Sequence, residues 1–169
     1  MADCRTQPPK NPTSNPFTYF RRMIAFVRGQ FVYKTPAVVH VEAHGVGYEL
    51  QISLHTYSHI QSLEQGLLYT HLHIKEDAHT LYGFAEPAEK ELFLQLISVS
   101  GVGAATARMM LSSMKPNELS AAIVQGNTKQ LEAIKGIGKK SAERIVLELR
   151  DKLSKSKPDI NISPLINNT

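Results

Sequence analysis

The chain has 169 residues, 42% hydrophobic, 20% charged and 7% aromatic, an ordinary globular composition with room for one medium domain or two small ones. Its single cysteine, Cys4, excludes an intramolecular disulfide framework and a multi-cysteine zinc site. No stretch approaches the roughly 20 apolar residues of a membrane span, and residues 1–22 hold no apolar signal core, so a cytoplasmic protein with no membrane partner is expected.

Charge is unevenly spread. Residues 1–22 carry four basic and one acidic residue, residues 23–84 three and five, and residues 85–157 twelve and eight. A basic C-terminal half behind a mildly acidic N-terminal half suggests a polyanionic partner for the former.

In chain order, residues 1–22 contain Pro8-Pro9, Asn11-Pro12 and Asn15-Pro16 and no apolar period, which predicts a disordered leader, with Met23 opening the folded part. Residues 23–84 are β-like. Ile24 to Phe31 is rich in branched and aromatic residues; Val38, Val39 and Val41 follow, then the alternating Tyr48, Leu50 and Ile52, then Leu67 to Ile74 and Leu81 to Phe84. Five or six short strands broken by Gly and Pro predict a small closed barrel, because an open sheet of that size leaves long unpaired edges. After Phe84 the period turns helical. Pro87 opens a helix through Leu92, Leu96 and Ile97; Ala104 to Met114 and Pro116 to Gln125 follow, the latter closed by Gly126. Asn127 with Gln130 predicts a capping box for a fourth helix, and a fifth runs from Lys139 to about Leu153. The expected organisation is a barrel domain over 23–84, a helical domain over 85–155 and a linker or tail over 156–169.

The helical half contains a duplication. Leu96-Ile97-Ser98-Val99-Ser100-Gly101-Val102-Gly103 followed by Ala107 is echoed 35 residues later by Leu131-Glu132-Ala133-Ile134-Lys135-Gly136-Ile137-Gly138 followed by Ala142. Each copy reads as helix, Gly-x-Gly and helix, the pattern of a helix-hairpin-helix. Glycines allow a tight turn and a close backbone approach to a ligand. The next helix starts at the turn, so its unpaired N–H groups and positive dipole end face outward, a phosphate site that needs no side chain. Val102 and Ile137 are the expected buried wedges, and Lys139, Lys140 and Arg144 add cationic reach to the second copy. Contacts of this kind go to the DNA backbone and carry little sequence information. The expected DNA-binding set is Gly101, Val102, Gly103, Gly136, Ile137, Gly138, Lys139, Lys140 and Arg144. The first copy is weaker, since Ala104 and Ala105 stand where lysines would help.

Met23 to Gly29, Gly45 to Leu50, Lys75 to Phe84 and Gly136 to Arg144 together resemble the RuvA family of bacterial Holliday-junction recognition proteins, in unbroken order from Met23 to about Leu153. The resemblance implies an α+β chain with two domains: an N-terminal OB-type barrel, then an all-α domain with two helix-hairpin-helix motifs. It implies a homotetramer, or an octamer on DNA, holding a four-way junction open and square in recombination, SOS-linked repair and branch migration. It assigns ATP hydrolysis to a separate RuvB-type ATPase and adds a RuvC-type resolvase as partner. Glu76-Asp77 matches the family's acidic pin, whose carboxylates repel phosphates at the crossover and so favour a junction over linear duplex. The family carries a third helical domain that holds the ATPase. Here the chain stops at Thr169, about where the linker to that domain would begin, so a truncated molecule lacking that contact is expected.

Catalysis is not expected. There is no Gly-x-Ser-x-Gly elbow and no phosphate-binding Gly-x-x-x-x-Gly-Lys-Ser/Thr loop. All seven histidines (His40, His44, His55, His59, His71, His73 and His79) fall in the barrel half. His71-x-His73 would share a strand face, yet no cysteine accompanies the pair; no metal or cofactor is expected, and ordinary barrel positions are. Two other classes compete with the scaffold reading. A nuclease or glycosylase using hairpins for grip would need a catalytic domain, and Glu76-Asp77 is the only paired carboxylate in the barrel half. A single-strand or RNA-binding barrel would need stacking platforms, and Tyr33, Tyr48, Tyr57 and Tyr69 form no obvious set.

Overall fold

The structure, a computed structural model, describes residues 24–155; the expected leader over 1–22, Met23 and the expected tail over 156–169 lie outside the described residues. Five strands close a barrel: β1 (Phe26–Lys34), β2 (Val38–Ala43), β3 (Val46–Ile52), β4 (Gln65–Ile74) and β5 (His79–Phe84), in the order β1-β2-β3-β5-β4. Neighbours pair antiparallel except β3 and β5, which run parallel through Gln51↔Tyr82 and Ile52↔Gly83. The first strand pairs with both β2 and β4, and its pairing with β2 shifts register between Phe31 and Tyr33, an irregularity of the kind that bends a strand round a closing barrel. Alternation then decides the interior. Val27, Phe31, Val39, Val41, Leu50, Ile52, Leu68 and Leu81 point inward and form one core cluster.

The barrel also holds a helix that the hydrophobic pattern does not announce, α1 (Leu54–Ile60), between β3 and β4. Its sequence, Leu-His-Thr-Tyr-Ser-His-Ile, is poor in strong helix formers and has only two buried residues, Thr56 and Ile60. Tertiary contacts hold it instead. Ser53 caps it, accepting from the Thr56 N–H at 3.0 Å, and Ile60 enters the barrel core.

The helical half comprises α2 (Pro87–Ile97), α3 (Ala104–Ser113), α4 (Pro116–Val124), α5 (Thr128–Glu132) and α6 (Lys139–Lys155). Pro87 opens α2, and Gly126, at φ 71°, follows α4. The expected capping box of α5 forms only in half. The Asn127 side chain accepts from the Gln130 N–H at 3.2 Å, but the Gln130 side chain accepts from the Asn127 amide rather than reaching the Asn127 backbone. Leu92, Phe93, Leu96, Met110, Leu111, Leu119, Ile123, Leu131, Ile145 and Leu149 fill the core.

Barrel and helices meet over an extensive seam. Tyr82 and Phe84 of β5 belong to the helical core, their rings 5.0 and 4.9 Å from that of Phe93. Polar groups on both sides complete it. Arg108 of α3 donates to the Ala37 and Ile52 carbonyls at 3.3 and 3.1 Å, and Lys90 of α2 donates to the Ala25 carbonyl at 3.2 Å. Glu89 of α2 is fully buried and accepts from the Ser53 and Thr56 hydroxyls at the start of α1. Burial holds its carboxyl above the ordinary carboxylate range, against the opposing pull of those two hydrogen bonds.

Candidate nucleic-acid interface

The two hairpins repeat bond for bond. In the first, the Val99 N–H donates to Leu96 at 3.1 Å, Val102 to Val99 at 3.0 Å and Ala107 to Gly103 at 2.9 Å; in the second, Ile134 donates to Leu131 at 3.1 Å, Ile137 to Ile134 at 3.1 Å and Ala142 to Gly138 at 2.9 Å. Gly101 and Gly136 sit at φ 90° and 89°, where a Cβ is strained, so the turn itself demands glycine at both. The wedges Val102 and Ile137 are both buried at 6% exposure, locking each turn onto its helices.

Gly103 and Gly138 are different. Neither has a left-handed backbone, and a Cβ placed on either would meet nothing within 4 Å. Each directly precedes a helix, Gly103 as the N-cap of α3, where glycine is preferred to Ala or Val, but no packing among the described residues excludes a Cβ. A Cβ there would occupy open space beside the turn. The α3 end has no side-chain cap, which leaves its first N–H groups available to an outside acceptor.

Cations distinguish the two copies. Lys139 and Lys140 occupy the first turn of α6, both exposed, with no acidic residue in that turn and no ion pair among the described residues. Two ammonium groups at the positive end of a helix oppose its dipole, an unfavourable arrangement of about 0.3–1 kcal/mol each, relieved when an anion approaches. Lys135, which the sequence reading passes over, is exposed immediately before Gly136; the equivalent residue in the first copy is Ser100. In the first copy Ala104 is buried and Ala105 exposed, and Arg108 turns away to the barrel. Arg144 lies between the hairpins: its Nη1 donates to the Ser100 carbonyl of the first copy at 3.2 Å, so part of its donor set is committed to joining the two turns.

Glu76 and Asp77 lie at the far tip of the β4–β5 hairpin. The first strand leaves β4 after Tyr69, and β3 contacts β5 only at Tyr82 and Gly83. Leu81 and the partly buried Leu72 still belong to the barrel core, so only His73↔Thr80, Ile74↔His79 and the turn beyond them project past it, two residue pairs or about 7 Å at ~3.3 Å per residue. The Lys75 N–H closes its turn on the Ala78 carbonyl at 2.8 Å. Both carboxylates are exposed and have no ion pair among the described residues, and with Lys75 in the same turn the tip keeps a net negative charge.

The competing readings find less support. His71 is buried with its ring 5.8 Å from that of Phe93, and the His71 and His73 ring centroids stand 6.2 Å apart with no third ligand grouped with them among the described residues. Of the four tyrosines, Tyr48 and Tyr57 pack against the barrel core and Tyr69 against the helical core; Tyr33 is exposed and lies against His40, ring centroids 4.9 Å apart. No shared stacking platform results.

Comparison with known proteins agrees with this geometry. Residues 23–83 match the RuvA N terminal domain, and residues 93–151 match the SAM-like Helix-hairpin-helix tandem. Among curated relatives, the Holliday junction branch migration complex subunit RuvA of Cytophaga hutchinsonii is 50% identical over 133 residues, 79% of this chain and 67% of that protein. The subunit of the same name from Christiangramia forsetii is 52% identical over 133 residues, 79% of this chain and 69% of that protein. That from Amoebophilus asiaticus is 46% identical over 143 residues, 84% of this chain and 74% of that protein. The chain thus spans about two thirds to three quarters of these relatives, and with a closed five-stranded barrel followed by a tandem of helix-hairpin-helix motifs it belongs to the RuvA family.

Proposed function

We propose that this protein is a non-catalytic scaffold that binds four-way junction DNA by its structure rather than its sequence, the DNA-binding subunit of a branch-migration complex whose ATPase is a separate RuvB-type protein. The observation that carries the reading is the pair of equivalent hairpins, each with an outer glycine, Gly103 or Gly138, beside which a Cβ would meet nothing within 4 Å among the described residues. A phosphate backbone drawn against those turns accounts for them. The turn backbones of Gly101, Val102, Gly103, Gly136, Ile137 and Gly138 with the side chains of Lys139 and Lys140 form the contact surface, the buried Val102 and Ile137 side chains fix the turns in place, and Arg144 holds its two halves together.

Glu76 and Asp77 act in the opposite sense. At the tip of a short ribbon that projects past the barrel core they repel phosphates, so a substrate whose strands diverge around the tip is favoured over a continuous duplex. The repulsion multiplies if several copies gather round the crossover, which is the sense of a homotetramer, or of an octamer enclosing the DNA. The barrel domain is assigned to 23–84 and the hairpin domain to 85–155, with a leader before and a linker after. A RuvC-type resolvase acting on the open junction and a cytoplasmic location complete the proposal.

A gel-shift titration at about 150 mM salt with magnesium, comparing a four-way junction with linear duplex of the same sequence, tests it. Junction binding tighter by about a hundredfold, with intact DNA recovered, is expected. Equal affinities would reduce the protein to a generic hairpin module, and cleaved junction would make it an enzyme. Glu76→Gln with Asp77→Asn is expected to raise duplex affinity and narrow the junction preference; a preserved preference removes the pin.

A further inference from the structure

His55 and His59 lie one turn apart on α1, and Glu86 immediately precedes α2 across the seam between barrel and helices. One ligand atom from each of the three lies within 4.8 Å of the other two. We propose that these residues form a binding site for a divalent transition-metal cation of the zinc class, which clamps the barrel to the helical region.

Three features suit a coordination site. First, His55 Nε2 and Glu86 Oε2 are 3.3 Å apart. That is about the edge of a tetrahedron with metal–ligand bonds of ~2.0–2.1 Å, so two ligands already stand at coordination spacing. Second, His59 Nδ1 lies 2.9 Å from the His55 carbonyl oxygen, which can only accept. Nδ1 therefore carries a proton, and in the neutral ring Nε2 keeps its lone pair, the tautomer and backbone restraint typical of a metal-bound imidazole. Third, Glu86 is the N-cap residue of α2 yet makes no side-chain cap bond. Its carboxylate is turned from the helix N–H groups it would ordinarily serve toward His55.

Two imidazoles and one carboxylate suit zinc, cobalt or nickel better than magnesium or calcium, which prefer oxygen donors. Three protein ligands leave a fourth position for water. His59 and Glu86 are exposed and His55 half-buried, so a cation has a path from solvent. Because the ligands come from both sides of the seam, bound metal would stiffen the angle between pin and hairpins.

The test uses the full chain without an affinity tag, stripped with chelator. Calorimetric titration with Zn2+ is expected to show one site, and a hundredfold excess of Zn2+ over Kd is expected to raise Tm by about 5–10 °C. Co2+ is expected to give the visible absorption of a tetrahedral centre. His59→Gln and Glu86→Gln, both at exposed positions, are each expected to weaken Zn2+ binding at least tenfold while the apo Tm stays within about 2 °C. Cys4→Ser and the pair His71→Gln with His73→Gln are expected to leave binding intact. Absence of binding, binding unchanged by His59→Gln and Glu86→Gln, or binding lost with His71 and His73 or with Cys4 would overturn the proposal.

Discussion

The two hairpins share a backbone and differ in their charge. Their turn hydrogen bonds agree to within 0.1 Å and their turn glycines to within one degree of φ, but one helix begins Ala104-Ala105 and the other Lys139-Lys140. What recurs is therefore the device that presents backbone N–H groups, which works on any phosphate. What varies is the long-range attraction added to it. The first copy spends its nearby arginine on the fold, since Arg108 is bonded to barrel carbonyls, whereas the second carries lysines that pair with nothing among the described residues. On the proposed reading the second hairpin is accordingly the stronger electrostatic contact, and the first depends on geometry.

The sharpest way to break the comparison separates turn from contact. Gly136→Val puts a branched side chain at φ 89° and is expected to cost about 1–3 kcal/mol of stability, read as a lower urea midpoint. Gly138→Val is expected to cost less, about 0.5–1 kcal/mol for a poorer residue at the start of α6, and still weaken junction binding at least tenfold, because the space beside that glycine is open. If Gly138→Val destabilises the fold as much as Gly136→Val does, the outer glycines are structural. Next in size, Lys139→Ala with Lys140→Ala is expected to weaken junction and duplex alike and to flatten the salt dependence by about one unit per lost phosphate contact; an unchanged slope removes both lysines from the interface. The smallest binding change comes from equalising the copies. Ala105, exposed and equivalent to Lys140, becomes a cation in Ala105→Lys, which is expected to tighten binding a few-fold and steepen the salt dependence by about one unit. Weaker binding would place Ala105 away from the DNA.

A control outside both hairpins is Glu89. Its carboxyl is held above the ordinary 4.5, chiefly by burial, so the folded state retains a proton that the unfolded state gives up. The stability this proton contributes is fully present below pH 4.5 and is lost as pH rises through the raised value. Glu89→Gln is expected to flatten that decline, so that urea midpoints at pH 5 and pH 8 differ less than in the unsubstituted protein, with junction affinity unchanged. An equally steep decline would place the dependence on another group.

The hairpins were legible because their signal is local and repeated: Gly-x-Gly, an apolar wedge and a small residue four positions beyond the second glycine, twice at the same interval. The strands were legible for a related reason, since branched residues alternating between glycines leave few alternatives to a half-buried sheet. Helix α1 was not legible. Its seven residues have low intrinsic preference, and its stability comes from Ser53, Ile60 and a carboxylate 33 residues beyond Thr56, none of which a local window can weigh. The same limit applies to His55, His59 and Glu86, which are ordinary residues until the β5–α2 connection brings the third to the first two.

Sequence alone determined the barrel-then-helices order, the duplicated turn and the cationic second copy, because each rests on periodicity or spacing within a few residues. Only the tertiary structure decided which charges are free and which are bound into the fold. Arg144 reads from sequence as reach toward DNA, and in the folded chain it donates to the Ser100 carbonyl of the other hairpin, as Arg108 donates to barrel carbonyls. Lys139 and Lys140 gain no such partner among the described residues. A long cationic side chain is committed by whichever acceptor folding brings within about 3 Å of it, and that distance is set by packing between distant segments.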